Sequence, residues 1–121
     1  MSRRSDGLAT LDRLIRVRRV QAQLAMAALG RTQVRSQSEA ALLARVSVLL
    51  GGGGAAAGVV AADAANARAA ADAVLGRLAG DIGLRLSETR AEQARLAAAL
   101  GRARAAVDAA VARRTEKAGE A

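Results

Sequence analysis

The apolar and polar positions of the first half of the chain follow steps of four and three residues. Leu11, Ile15, Arg18, Ala22, Ala25, Leu29, Thr32, Ser36, Glu39, Leu43, Val46 and Leu50 succeed one another in this way. The mean step of 3.5 residues places them along one stripe of a coiled-coil helix. The stripe is apolar at both ends and polar in its middle. A second stripe, Leu14, Val17, Val20, Leu24 and Ala28, lies beside it. The apolar face of this segment is therefore broader than a two-helix seam requires. Ser5 or Asp6 can cap the first free amides, which predicts a helix over about residues 6–50.

The second half repeats the pattern. Ile82, Leu86, Thr89, Gln93, Leu96, Leu100, Ala103, Val107 and Ala110 form one seam. Upstream, Val60, Ala64, Ala67, Ala71, Val74 and Leu78 keep the spacing one step out of phase. Joining the two registers needs a stutter between Leu78 and Ile82, and Gly76, Gly80 and Gly83 predict a bend there. This helix is expected over about residues 59–117.

Between the two lies Gly51-Gly52-Gly53-Gly54. Four glycines cost a helix about 1 kcal/mol each relative to alanine and readily reverse a chain. A Gly-rich turn over about residues 51–58 is expected. A phosphate cradle would need the Lys-Ser/Thr that follows a P-loop, which is absent here. Reversal at the glycines pairs residues whose numbers sum to about 107, so that Leu43 faces Ala64, Leu29 faces Leu78 and Leu11 faces Leu96. The second helix then overhangs through Ala103–Ala121. The expected fold is all-α, one domain over residues 1–121: an elongated antiparallel two-helix coiled-coil hairpin whose second helix is the longer.

Composition narrows the picture to a thin core. Of the apolar residues 34 are Ala, against 15 Leu, 10 Val and 2 Ile, and there is no Phe, Trp or Tyr. Aromatics supply the largest blocks of buried area, whereas alanine buries little but allows close helix approach. There is no Pro to stop a helix. Residues 46–62 carry no charge, but their Ala and Gly content and their length fall short of a membrane span of roughly 20 apolar residues.

The net charge is +8, and all basic residues but Lys117 are Arg. Residues 1–50 hold nine Arg against Asp6, Asp12 and Glu39, whereas residues 51–121 are nearly balanced. Such a field favours an acidic partner. It is also what a solvated helix surface of an Arg-rich protein would carry. No signal peptide is legible at the start, which makes the cytoplasm the expected location. There is no His, Cys or Tyr, so acid–base chemistry would fall to carboxylates alone. Those carboxylates sit beside Arg in helical spacing, as in Asp12-x-x-x-Arg16 and Glu92-x-x-Arg95, expected as intrahelical ion pairs. Neither enzyme chemistry, nor a cofactor, nor a metal site, nor a small-molecule substrate is expected.

The most concentrated chemical feature is Arg13, Arg16, Arg18 and Arg19, interleaved with Leu14, Ile15, Val17 and Val20. Arg beside aliphatic side chains suits docking on a protein surface, because its guanidinium grips carboxylates in a planar fork. Nucleic acid would meet the same charge, but no aromatic is present to stack on bases and no DNA-reading motif is evident, so specific nucleic-acid binding is not expected.

Leu11-x-x-Leu14-Ile15-Arg16-Val17-Arg18-Arg19-Val20-x-x-x-Leu24-Ala25 and Glu92-x-x-Arg95-Leu96-x-x-x-Leu100-x-Arg102-Ala103-Arg104, with the chain length, the central break and the charge, resemble the FliJ-type flagellar export protein. That resemblance implies the coiled-coil stalk of the bacterial type III export ATPase. It implies insertion into the hexameric ATPase ring by the joined ends of the hairpin. Further implied partners are the export gate and export chaperones, at the inner face of the cell membrane. The matching end combines Leu11, Arg13, Leu14, Arg16, Val17, Arg18 and Arg19 with Arg102, Arg104, Arg113 and Arg114. The alternatives from other classes are a general cytoplasmic coiled-coil scaffold or adaptor and a basic helical binder of nucleic acid or anionic membrane.

Overall fold

The computed structural model describes residues 2–52 and 62–120. The fold is all-α. Helix α1 spans Ser2–Gly52 and α2 spans Ala62–Gly119, 51 and 58 residues long. Side-chain bonds join Asp12 to Arg114 and Glu39 to Thr89, so the two helices pack as an antiparallel hairpin whose second helix is longer. Both helices outrun the expected bounds. Ser5 and Asp6 lie inside the first turns of α1 rather than capping it, and the Thr10 hydroxyl donates to the Asp6 carbonyl at 2.8 Å. Nothing in residues 2–5 breaks a helix, and arginine propagates one well.

By packing, the chain divides into two compact units. Unit 1 is Met1–Arg31 with Glu92–Ala121, and unit 2 is Thr32–Ala91. Ile15, Leu100 and Ala110 are buried in unit 1; Thr32, Val46, Ile82, Leu86 and Thr89 are buried in unit 2. Every position of the two expected seams, from Leu11 to Leu50 and from Ile82 to Ala110, is buried or half-buried except Arg18. Arg18 occupies a seam position but stays exposed, its guanidinium donating to Gln21 Oε1 at 3.3 Å. A long cationic side chain can leave the seam while its stem stays along it.

The stutter does not occur. Ala64, Ala67, Ala71, Val74 and Leu78 are exposed, and Arg68, Asp72, Leu75 and Ala79 are half-buried in their place. These four continue the four-and-three spacing directly into Ile82. The 3.5-residue repeat is thus kept whole, at the cost of leaving Val74 54% and Leu78 41% exposed. Val60, the first residue of the upstream pattern, lies outside the described residues. α2 is also unbroken through Gly76, Gly80 and Gly83. A Cβ at any of the three would meet nothing within 4 Å, so close packing does not require glycine there.

The register differs from the one centred on the glycines. Residues 7 and 117, 12 and 114, and 39 and 89 are neighbours across the helices, and their numbers add to 124, 126 and 128 rather than about 107. Gly51 and Gly52 end α1 instead of forming the turn; Gly53, Gly54 and the rest of the expected turn lie outside the described residues. The overhang is accordingly not at the C-terminal end. Ala110 is buried, Ala103 and Val107 are half-buried, and the Lys117 chain lies over Gly7. It is the beginning of α2, residues 62–67, that is wholly exposed. The register differs by about three heptads and brings Ala103, Val107 and Ala110 into the seam, where their apolar surface leaves water.

The middle of the seam in unit 2 is polar. Thr89 Oγ1 donates to Glu39 Oε1 at 2.8 Å, Thr89 being buried and Glu39 half-buried. Glu39 Oε2 is buried and has no hydrogen-bond partner. A half-satisfied carboxylate costs stability, but it accepts only where a donor stands opposite, and so it marks one register among those that heptad spacing allows.

Two substitutions test this phase and packing by thermal unfolding. Ile82→Ala should cost about 2–4 kcal/mol, the range for a buried aliphatic, whereas Val74→Ala should cost less than about 1 kcal/mol, since Val74 stands largely in water. Equal losses would restore the stutter. Gly80→Ala should stabilise α2 by about 0.5–1 kcal/mol; destabilisation would mean that a neighbour does approach the glycine.

Candidate partner-docking end

Unit 1 contains all of the basic and apolar residues expected to dock. The four-and-three seam decides which of them are consumed by the fold. Leu11 and Leu14 are half-buried and Ile15 is buried, whereas Arg13, Arg16, Val17, Arg18 and Arg19 are exposed on α1. On α2, Arg102, Arg104 and Arg113 are exposed and Arg114 is half-buried. Helical periodicity sorts these residues onto two flanks and the outer side of α1.

On one flank, a shallow groove between the helices is lined by Asp12, Ile15, Arg16, Arg19, Val111, Arg114 and Thr115. A neighbouring groove is lined by Arg19, Ala22, Gln23, Arg104, Val107 and Asp108. This flank brings Arg16, Arg19, Arg104 and Arg114 together along an apolar floor. On the opposite flank, Leu11 and Arg113 line a groove with Gly7, Thr10, Glu116, Lys117 and Glu120. There the charges are mixed. The first flank is therefore the better seat for an acidic partner, because only two carboxylates accompany its four guanidinium groups.

One of those carboxylates is already engaged. Arg114 Nε donates to Asp12 Oδ1. Arg114 falls at a seam position, where its charge has to leave the apolar interior, and Asp12 stands on the flank where it emerges. The expected pairs Asp12–Arg16 and Glu92–Arg95 do not form among the described residues. Arg16 is left available on the surface as a result. Both partners of the Asp12–Arg114 pair are close to half exposed, at 45% and 42%, so solvent screens it strongly.

The outer side of α1 carries residues that charge alone does not single out. Val17, Val20 and Leu24 are 54%, 52% and 65% exposed. They belong to the second apolar stripe, whose other members, Leu14 and Ala28, are half-buried. The width of that face signalled a surplus; which part of it α2 leaves uncovered depends on the packing.

Among the described residues no group of three or more acidic side chains is arranged to hold a metal ion, and no helix is long and apolar enough to cross a membrane. The arrangement offers recognition by charge and apolar contact.

A double-mutant cycle on Asp12→Asn and Arg114→Ala should give a coupling of about 0.2–1 kcal/mol that shrinks as salt is raised. A coupling well above that range, insensitive to salt, would show the pair to be desolvated.

No protein-family model matches the chain, and no curated protein or solved structure is significantly similar to it.

Proposed function

We propose that this chain is a non-catalytic stalk or adaptor of the bacterial flagellar type III export apparatus, docking on the hexameric export ATPase and assisting export of flagellar proteins. The observation that supports this reading is the union, in one compact unit, of the two segments that carry the resemblance. The Leu11–Val20 segment of α1 and the Glu92–Arg104 segment of α2 are separated by more than seventy residues in sequence, yet both lie in unit 1, where Asp12 and Arg114 are bonded side chain to side chain. In this reading Arg16, Arg19 and Arg104 meet carboxylates on the ring, and Val17 makes apolar contact beside them. The export gate and export chaperones are further partners, and the working place is the cytoplasmic face of the cell membrane. The antiparallel hairpin also suits a cytoplasmic scaffold with another client, which the same experiment separates.

The test is retention of the full chain on an immobilised flagellar export ATPase hexamer, with ATP hydrolysis measured in parallel. The expected result is retention with stimulated hydrolysis, weakened at least tenfold by Arg16→Glu with Arg19→Glu. No retention and no stimulation would overturn the stalk reading in favour of another adaptor role. Retention on DNA instead, falling steeply with salt, would move the chain to the nucleic-acid binders.

A further inference from the structure

The outer side of α1 in unit 1 has a second apolar seam that nothing in the hairpin covers. Val17, Val20, Leu24 and Ala27 follow one another in steps of three, four and three, the same rhythm as the inner seam. All four are exposed. Arg13 and Arg31 continue the stripe at its two ends. From residue 13 to residue 38 α1 has six arginines and no carboxylate. The nearest acids along α1 are engaged elsewhere, Asp12 with Arg114 and, in unit 2, Glu39 with Thr89, while Asp108 of α2 shares the inner groove with Arg19 and Arg104.

These facts specify an occupant. A narrow stripe at this spacing takes the ridge of another helix, whose anchors fall at i, i+3 and i+7. A lipid surface, by contrast, rewards a wide apolar face, commonly with aromatics at the interface, and the chain has no aromatic at all. A second copy of the same face would set arginine against arginine across the contact, with no carboxylate on either side to relieve it. Carboxylates flanking an apolar ridge would meet the arginines in favourable pairs.

We propose that the Val17–Val20–Leu24 stripe of α1 is a docking seam for an acidic amphipathic helix of another protein. The proposal rests on the reading of the chain as a docking module, but not on the identity of the assembly it serves. It adds a surface on the outer side of α1 to the flank where Arg16, Arg19 and Arg104 converge.

The absence of Phe, Trp and Tyr makes the test direct, because a single Trp in a probe peptide gives the only indole signal. The probes are a Leu-Glu heptad peptide, a Leu-Lys peptide of the same apolar pattern, and vesicles of phosphatidylglycerol. Titrated with the full-length chain, the Leu-Glu peptide should bind at least tenfold more tightly than the Leu-Lys peptide. Val20→Glu with Leu24→Glu should weaken that binding at least tenfold with the helical circular dichroism unchanged, because both positions are exposed. Leu84→Glu, 66% exposed on α2 in unit 2, should leave it intact. The proposal is overturned if both peptides bind equally. It is likewise overturned if the Val20/Leu24 variant binds as the parent does, or if the vesicles bind in a Val20/Leu24-dependent manner while the Leu-Glu peptide does not. Self-association abolished by Val20→Glu with Leu24→Glu would assign the stripe to a second copy and overturn it too. Failure on the export ATPase with peptide capture retained would reject the export reading alone; the converse would reject the stripe alone.

Discussion

In a hairpin of two helices, a side chain can leave water only by facing the other helix. The 3.5-residue seam is therefore the constraint on which the rest depends. Here the seam mixes aliphatic side chains with alanine and polar residues, and among its larger aliphatic members Ile15, Val46, Ile82, Leu86 and Leu100 are the ones buried from water. Ile82, 1% exposed in unit 2, is the largest side chain wholly removed from water among the described residues. Keeping these residues in phase outweighs local losses. Val74 and Leu78 remain in water, and the half-buried places beside them go to Leu75 and Ala79, and further upstream to Asp72 and Arg68. An uninterrupted repeat lets each layer of side chains interlock with the next; one extra residue would disturb that fit over a whole turn.

Polar groups in the seam act against stability and for uniqueness. Thr32 and Thr89 are each 5% exposed, and one oxygen of Glu39 is buried without a hydrogen-bond partner. An apolar seam of Ala and Leu would tolerate sliding by a heptad, because one Ala-Leu layer resembles another. The Thr89–Glu39 bond does not tolerate it, since a slide separates donor from acceptor and leaves the carboxylate more poorly solvated. In unit 1 the Asp12–Arg114 pair marks the local register more weakly, being open to solvent.

The surface follows from the same economy of burial. With one stripe of each helix consumed, the remaining positions of α1 have no interior to enter. Its arginines project from the surface, and its second apolar stripe is left beside them. α2, with seven acidic and ten basic groups between Asp63 and Lys117, has half the surplus of α1. The two helices are therefore unequal in what they offer a partner, although they contribute alike to the seam.

The inward stripes were legible from Leu11 to Leu50, Arg18 apart, and from Ile82 to Ala110, because a 3.5-residue period is a local property of the chain; upstream of Ile82 the stripe runs in another phase than the apolar residues suggest. The basic cluster at Arg13–Arg19 was legible for the same reason. The register was not. Reversal at Gly51–Gly54 was the natural reading of four glycines, yet α1 runs through the first two, and Lys117 lies over Gly7. Heptad spacing repeats every seven residues, so it leaves open a ladder of registers. The choice among them sums small differences over many layers, among them the covering of Ala103, Val107 and Ala110 at the end of α2. Tertiary packing alone makes that sum. It also decides that Asp12 meets Arg114 rather than Arg16, and that Val17, Val20 and Leu24 remain uncovered, because the position of the second helix determines which flank of the first it occupies.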